Sequence, residues 1–154
     1  MQPYLLYFHS IIRYFILLFA VVVVVQSLVG MMGKKKFVKS NKQGALVLLI
    51  FCDLQILLGL FLYFLKGWAS VLVSGAAMAS PYNRFWSVEH GFGMMVAIVL
   101  VHIGYSATKK NMDDDRKFKR LFWCSFVALV IFVATIPWSG KQVVGRPNIP
   151  VLSS

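Results

Sequence analysis

Acidic side chains are scarce in this sequence. Five Asp and Glu stand against sixteen Lys and Arg, a net charge of +11, and three of the five are the consecutive Asp113, Asp114 and Asp115. In a soluble chain such an excess points to nucleic acid. Here the cations crowd into two short loops between apolar runs, where they report orientation in a bilayer and attraction to anionic lipid. Nucleic-acid binding is therefore rejected. Cysteine is equally scarce: Cys52 and Cys124 sit singly in separate apolar segments. That excludes a disulfide framework and any zinc or iron–sulfur motif, and leaves two buried, inert thiols. No serine or cysteine has a base at useful spacing and no metal motif appears, so hydrolytic chemistry is not expected. There is no internal repeat, and the valine run at 21–25 is the one low-complexity tract.

What the sequence has is apolar length. It is 59% hydrophobic with a mean hydropathy of +0.75, more than one soluble core of 154 residues can hide. Crossing the ~30 Å hydrocarbon layer takes roughly 20 apolar residues in a helix. Four segments meet that length, at about 4–32, 44–65, 85–107 and 121–138. In lipid each backbone polar group must be satisfied within its own segment, so helix overrides the β-propensity of the valines. The expected fold is an all-α, single-domain bundle of four transmembrane helices. Lys34, Lys35, Lys36, Lys39 and Lys42 fill the first loop; Lys109, Lys110, Arg116, Lys117, Lys119 and Arg120 fill the third. Only Lys66, Arg84, Lys141 and Arg146 face the other side. The asymmetry predicts cytoplasmic basic loops and both termini outside. The first span, with lysines after it and no charge before it, is expected to be a retained anchor. Residues 67–84 are too apolar for a free loop and too short to span twice, which predicts an interfacial segment over the outer end. Trp68, Trp86 and Trp138 fall where an aromatic belt would lie. The polar stretch 139–154, with Pro147 and Pro150, is expected to be extended.

Ionisable groups inside lipid are costly unless paired or turned inward, so each is a candidate site. They are His9, Arg13, Asp53, Glu89, His90 and His102, with Gln55 as a neutral companion. At ~1.5 Å rise per residue, His9 and His90 both lie roughly 7–8 Å below the outer boundary, on different helices. Two imidazoles at one level can ligate a haem iron from opposite sides. A quinone or proton site and plain structural hydrogen bonding are the competing readings of the same pair. Gly91 and Gly93 would leave room for a macrocycle, although glycines in membrane helices also serve close packing. Lys66, Arg84 and Arg146 could neutralise propionates at the outer surface. Arg13, about 13–14 Å deep, has Glu89 and Asp53 as the acids within reach, and either locks helices together or holds a propionate or quinone oxygen. Asp53 and Gln55 point about 200° apart on one helix and cannot line one narrow cavity. Gln55, Gly59 and Tyr63 form a packing stripe with a polar foot. His102, roughly 25 Å deep, reads as an interfacial side chain or as an inner proton or haem site shared with Asp53. Together these groups trace a broken polar ladder that could carry protons.

Several segments resemble a family of small four-helix bacterial membrane proteins commonly named cytochrome B: His9-Ser10-Ile11-Ile12-Arg13-Tyr14, Gln55-Ile56-Leu57-Leu58-Gly59-Leu60, Arg84-Phe85-Trp86-Ser87-Val88-Glu89-His90, Ile136-Pro137-Trp138 and Gly145-Arg146-Pro147. The resemblance covers nearly the whole chain and rests on the order and spacing of short motifs. It implies a haem b electron carrier of the bacterial inner membrane and marks His9, Arg13, Gln55, Glu89 and His90. The chain departs from that family at Asp53, where histidine is common; Asp is a poor axial ligand for haem iron, and the His9/His90 pair does not depend on it. The leading expectation is a redox protein passing electrons between quinol and an extracytoplasmic acceptor, with other membrane redox subunits as partners. The alternative is a cofactor-free accessory subunit of a larger membrane complex. A carrier or channel ranks last, since four helices with one polar level line little of a pore.

Overall fold

The computed structural model describes residues 2–148, and all regular structure among them is helical. Six α-helices are present: α1 (Gln2–Met32), α2 (Lys39–Leu65), the short α3 (Trp68–Val73) and α4 (Pro81–Arg84), α5 (His90–Ala107) and α6 (Asp114–Thr135). A 3₁₀ turn spans Ala76–Ala79, and a π-helical turn, Phe85–Glu89, joins α4 to α5 without a break. Four helical stretches are long and apolar enough to cross a membrane: Pro3–Met32, Lys39–Leu65, Pro81–Ala107 and Asp114–Thr135.

These four form an antiparallel ring in the order α1, α2, α5, α6, each packed on two neighbours, so that α1 and α5 face one another diagonally. The ring is inside-out relative to a soluble bundle. Phe15, Leu18, Val21, Val25, Leu57, Phe61, Val99 and Val130 are all exposed on its outer surface, a continuous apolar belt that water does not tolerate and lipid requires. Both basic loops fall at one end of the ring, because two antiparallel hairpins must close on the same side. The acids of the second are used locally: Lys119 pairs with Asp115 at 2.7 Å and Arg116 with Asp113 at 3.6 Å.

The core fills the half of the bundle nearer that basic end, where Ala20, Val23, Leu48, Cys52, Ala97, Val101, Leu121 and Ala128 interlock. At its base the buried Phe118 ring lies where any side chain at Gly30 would stand, and packs 5.0 Å from the Phe37 ring.

The observed helices depart from the expected spans at several ends, α2 beginning at Lys39 and not near residue 44. α6 starts at Asp114, since its basic first turns continue the helix beyond the apolar run, and it stops at Thr135 and not at Trp138. Pro137 forces Ile136 into extended geometry (φ −64°, ψ 133°), which ends the helix. The third stretch begins at Pro81, with the side chain of Ser80 accepting from the Asn83 N–H as its cap. The stretch after Trp138 is not a free extended tail. It turns at residues 139–144 and runs back to the bundle, where the Arg146 N–H donates to Pro137 O at 3.2 Å. Residues 149–154, including Pro150, lie outside the described residues.

Removing the Phe118 ring should leave a cavity between α1 and α6 that the rigid helices cannot close. Phe118→Ala is expected to cost about 3–5 kcal/mol, read as an earlier thermal unfolding transition in detergent; an unchanged transition would contradict this packing.

Candidate functional site

The packed core stops at Ile16, Ile98 and Phe132, and these three side chains are also the floor of a cavity of about 480 Å³ that occupies the other half of the bundle. His9 of α1 and His90 of α5 face each other across it, ring centroids 6.5 Å apart and planes at 65°. Both elements around His90 are set by local sequence chemistry. The π turn Phe85–Glu89 widens the helix immediately before it, a distortion that recurs at functional positions. It directs Trp86 inward, buried and 5.5 Å from the His90 ring. Trp86 is therefore a wall of the cavity and not a member of a lipid-facing belt.

His90 is anchored by the end of α6. A helix leaves its last carbonyls without intrahelical partners, and at Pro137 the chain also lacks an N–H to donate. Four donors satisfy the four carbonyls one by one. Ile136 N–H donates to Phe132 O at 3.0 Å, Trp138 Nε1 to Val133 O at 2.8 Å and Lys141 Nζ to Ala134 O at 2.7 Å. The fourth is His90, whose Nδ1 lies 3.0 Å from Thr135 O. A carbonyl only accepts, so Nδ1 carries the proton and Nε2 is left with its lone pair. His9 is held differently: its ring packs against Gly59, where a Cβ would stand 3.1 Å from Cε1, while Gln55 Nε2 donates to the His9 carbonyl at 2.9 Å. Tyr63, the top of the same stripe on α2, donates to Ser87 O at 2.8 Å.

Among the described residues three cations line the cavity and no carboxylate does: Arg13, Lys66 and Arg146. Arg146 stacks its guanidinium 3.6 Å from the centre of the Trp86 ring. Burial, and then the nearby Arg146, hold the Lys66 ammonium below its ordinary pKa. Arg13 was expected to pair with Glu89 or Asp53 and pairs with neither. It donates through Nη2 to Asn148 O, to which the Tyr14 hydroxyl also donates at 3.2 Å, and it lies 5.9 Å from the Trp138 ring. No family model matches the chain, and no curated protein or solved structure matches it.

The remaining expected site residues divide. Gly91 lines the cavity as expected, but Gly93 does not: a Cβ there would stand 2.6 Å from the Thr135 methyl, so it lets α5 and α6 approach. Arg84 is taken by Glu89 at 2.6 Å, both half-exposed at the rim and outside the cavity. Asp53 meets His102 at 2.8 Å on the outer surface of α2 and α5, so the polar ladder is not continuous with the His9/His90 cavity. Thr135, Asn148 and Trp86 were not anticipated. Ile136-Pro137 was the available signal, since a proline just after a helix advertises free carbonyls.

Gly145 makes the return of the chain to the cavity feasible, because a Cβ there would collide with the backbone oxygens of Lys141 and Trp138. Gly145→Ala is expected to release residues 139–148 at a cost of about 1–3 kcal/mol, seen as faster tryptic cleavage after Lys141. Cleavage as slow as in the unsubstituted protein would show that the turn tolerates a side chain.

Proposed function

We propose that this chain is a membrane-embedded b-type cytochrome-like protein in whose cavity His9 and His90 would hold one haem b. The observation that carries the reading is the separation of the two rings across the bundle axis. With centroids 6.5 Å apart, even nitrogens aimed at each other stay about 4 Å apart, too far for a hydrogen bond. That gap suits two metal–nitrogen bonds of about 2 Å end to end.

The residues present fit such a group. His90 donates its far nitrogen to a backbone carbonyl, the arrangement that orients metal-binding imidazoles and fixes their tautomer. Of the six buried side-chain polar atoms without a partner among the described residues, four belong to this cavity: His9 Nδ1, Arg13 Nε, Gln55 Oε1 and Trp86 Nε1. An apolar cavity whose charged side chains among the described residues are Arg13, Lys66 and Arg146 suits a large apolar ligand bearing two carboxylates. Bound there, haem b supplies a one-electron couple. The protein's own part is to hold the imidazoles at fixed height, to exclude water with Trp86 and the floor residues, and to balance the carboxylates with cations.

The motifs that resemble the cytochrome B proteins support the same assignment and a place in the bacterial inner membrane. The lysine-rich end supports an orientation with both basic loops cytoplasmic and the haem near the outer surface. Electrons would then pass between quinol in the membrane and an acceptor outside, through other membrane redox subunits.

The test is a reduced-minus-oxidised optical spectrum of detergent-purified protein produced with haem supplied. A b-type signal is expected, and it should be lost in both His9→Ala and His90→Ala. Colourless unsubstituted protein would instead favour the cofactor-free accessory subunit. A second outcome follows from charge. Arg146→Ala removes a cation that favours the reduced, less positive iron, so the midpoint potential should fall by on the order of tens of millivolts in a redox titration. An unchanged potential would place Arg146 away from the haem.

A further inference from the structure

Among the described residues the outer surface of the α2/α5 side of the bundle, below the Arg84–Glu89 rim, is apolar except at one place. On α2 and α5, near the middle of the Lys39–Leu65 span and within the last turns of Pro81–Ala107, Asp53 and His102 form a hydrogen-bonded pair at 2.8 Å between His102 Nε2 and Asp53 Oδ1. Their side chains are 47% and 49% exposed, which in a bilayer means facing hydrocarbon. Polar groups at such a position are costly and as a rule face protein or a water-filled cavity.

The pair has a self-complementary remainder. If the shared proton sits on His102, Nε2–H donates to the carboxylate; if it sits on Asp53, the acid donates to Nε2. In both cases His102 Nδ1–H is left as one donor and Asp53 Oδ2 as one acceptor, and neither has a partner among the described residues. A two-fold axis beside the pair would let each copy donate Nδ1–H to the other's Oδ2. This closes a ring of four hydrogen bonds that leaves neither Nδ1–H nor Oδ2 facing lipid. Around it, Ile50 and Leu57 on α2 and Met95 and Val99 on α5 are exposed apolar side chains that would pack against their own counterparts. One surface meeting itself is the usual form of a two-fold interface.

We propose that the α2/α5 face is a homodimer interface within the membrane, centred on crossed Asp53–His102 pairs. It does not depend on whether the cavity on the inside of the bundle takes haem.

The test co-expresses two differently tagged full-length chains and measures capture of one through the other's tag in lipid nanodiscs. The unsubstituted chains should capture one another. Asp53→His gives a copy with two imidazoles, and His102→Asp a copy with two carboxyls. Each should capture itself about tenfold less, the scale expected for lost hydrogen bonds between membrane helices. The mixed pair restores one donor set against one acceptor set and should recover capture. As an arm that leaves the pair intact, Leu57→Cys in a Cys124→Ser background should form a disulfide across the interface in native membranes under mild oxidation, whereas Val130→Cys on α6 should not. Unsubstituted chains that neither capture one another nor cross-link at Leu57→Cys would overturn the proposal. So would self-capture unaffected by either substitution, or cross-linking at Val130→Cys in place of Leu57→Cys.

Discussion

Backbone carbonyls at a helix end have no water to turn to inside a bilayer, and much of this structure follows from how α6 answers that constraint. Pro137 stops the helix and removes the next donor, leaving four carbonyls to be satisfied by what lies nearby. Ile136, Trp138, Lys141 and His90 each take one. Three of the four donors are local, and they fold residues 136–148 back over the bundle. The fourth comes from α5 and fixes an imidazole that would otherwise be free to rotate. One helix terminus thereby sets the turn of the C-terminal segment, the position of Arg146 and the tautomer of His90.

The bundle divides along its axis into a filled half and a hollow half, and the division is chemical. Near the basic end small and branched side chains interlock around Cys52 and Ala97. Beyond Ile16, Ile98 and Phe132 the inward positions become His9, Arg13, Gln55, Gly59 and His90, which are polar, long or absent and do not fill the space between four helices. Close packing is the normal state of a protein interior. A cavity of about 480 Å³ lined, among the described residues, by three cations and no carboxylate is costly for a small bundle and argues for a role in binding. The Asp53–His102 pair lies outside this economy altogether, on the opposite side of the helix wall.

Much of this was legible in the sequence for a simple reason: in a membrane chain, each polar residue within a span has to be accounted for. The four spans followed from apolar length, and the shared level of His9 and His90 from helix rise alone. The opposed directions of Asp53 and Gln55 followed from helical periodicity, and the two residues do lie on different faces. What was not legible depended on contacts between distant segments. Arg13 finds its partner at Asn148, 135 residues away, and no depth estimate distinguishes that from an ion pair with Glu89. The role of Gly93 could not be separated from that of Gly91, since both are simply small and only the position of Thr135 tells them apart. The π turn that aims Trp86 inward leaves no signature in composition or spacing.

The claim on which the functional account rests is that one iron is held between the two imidazoles that face each other across the bundle. Electron paramagnetic resonance of the oxidised, haem-loaded protein tests it most directly. The account predicts a low-spin ferric signal from six-coordinate, bis-imidazole iron at one haem per chain; a predominantly high-spin signal, or a low-spin signal that persists when His9 or His90 is replaced by alanine, would contradict it.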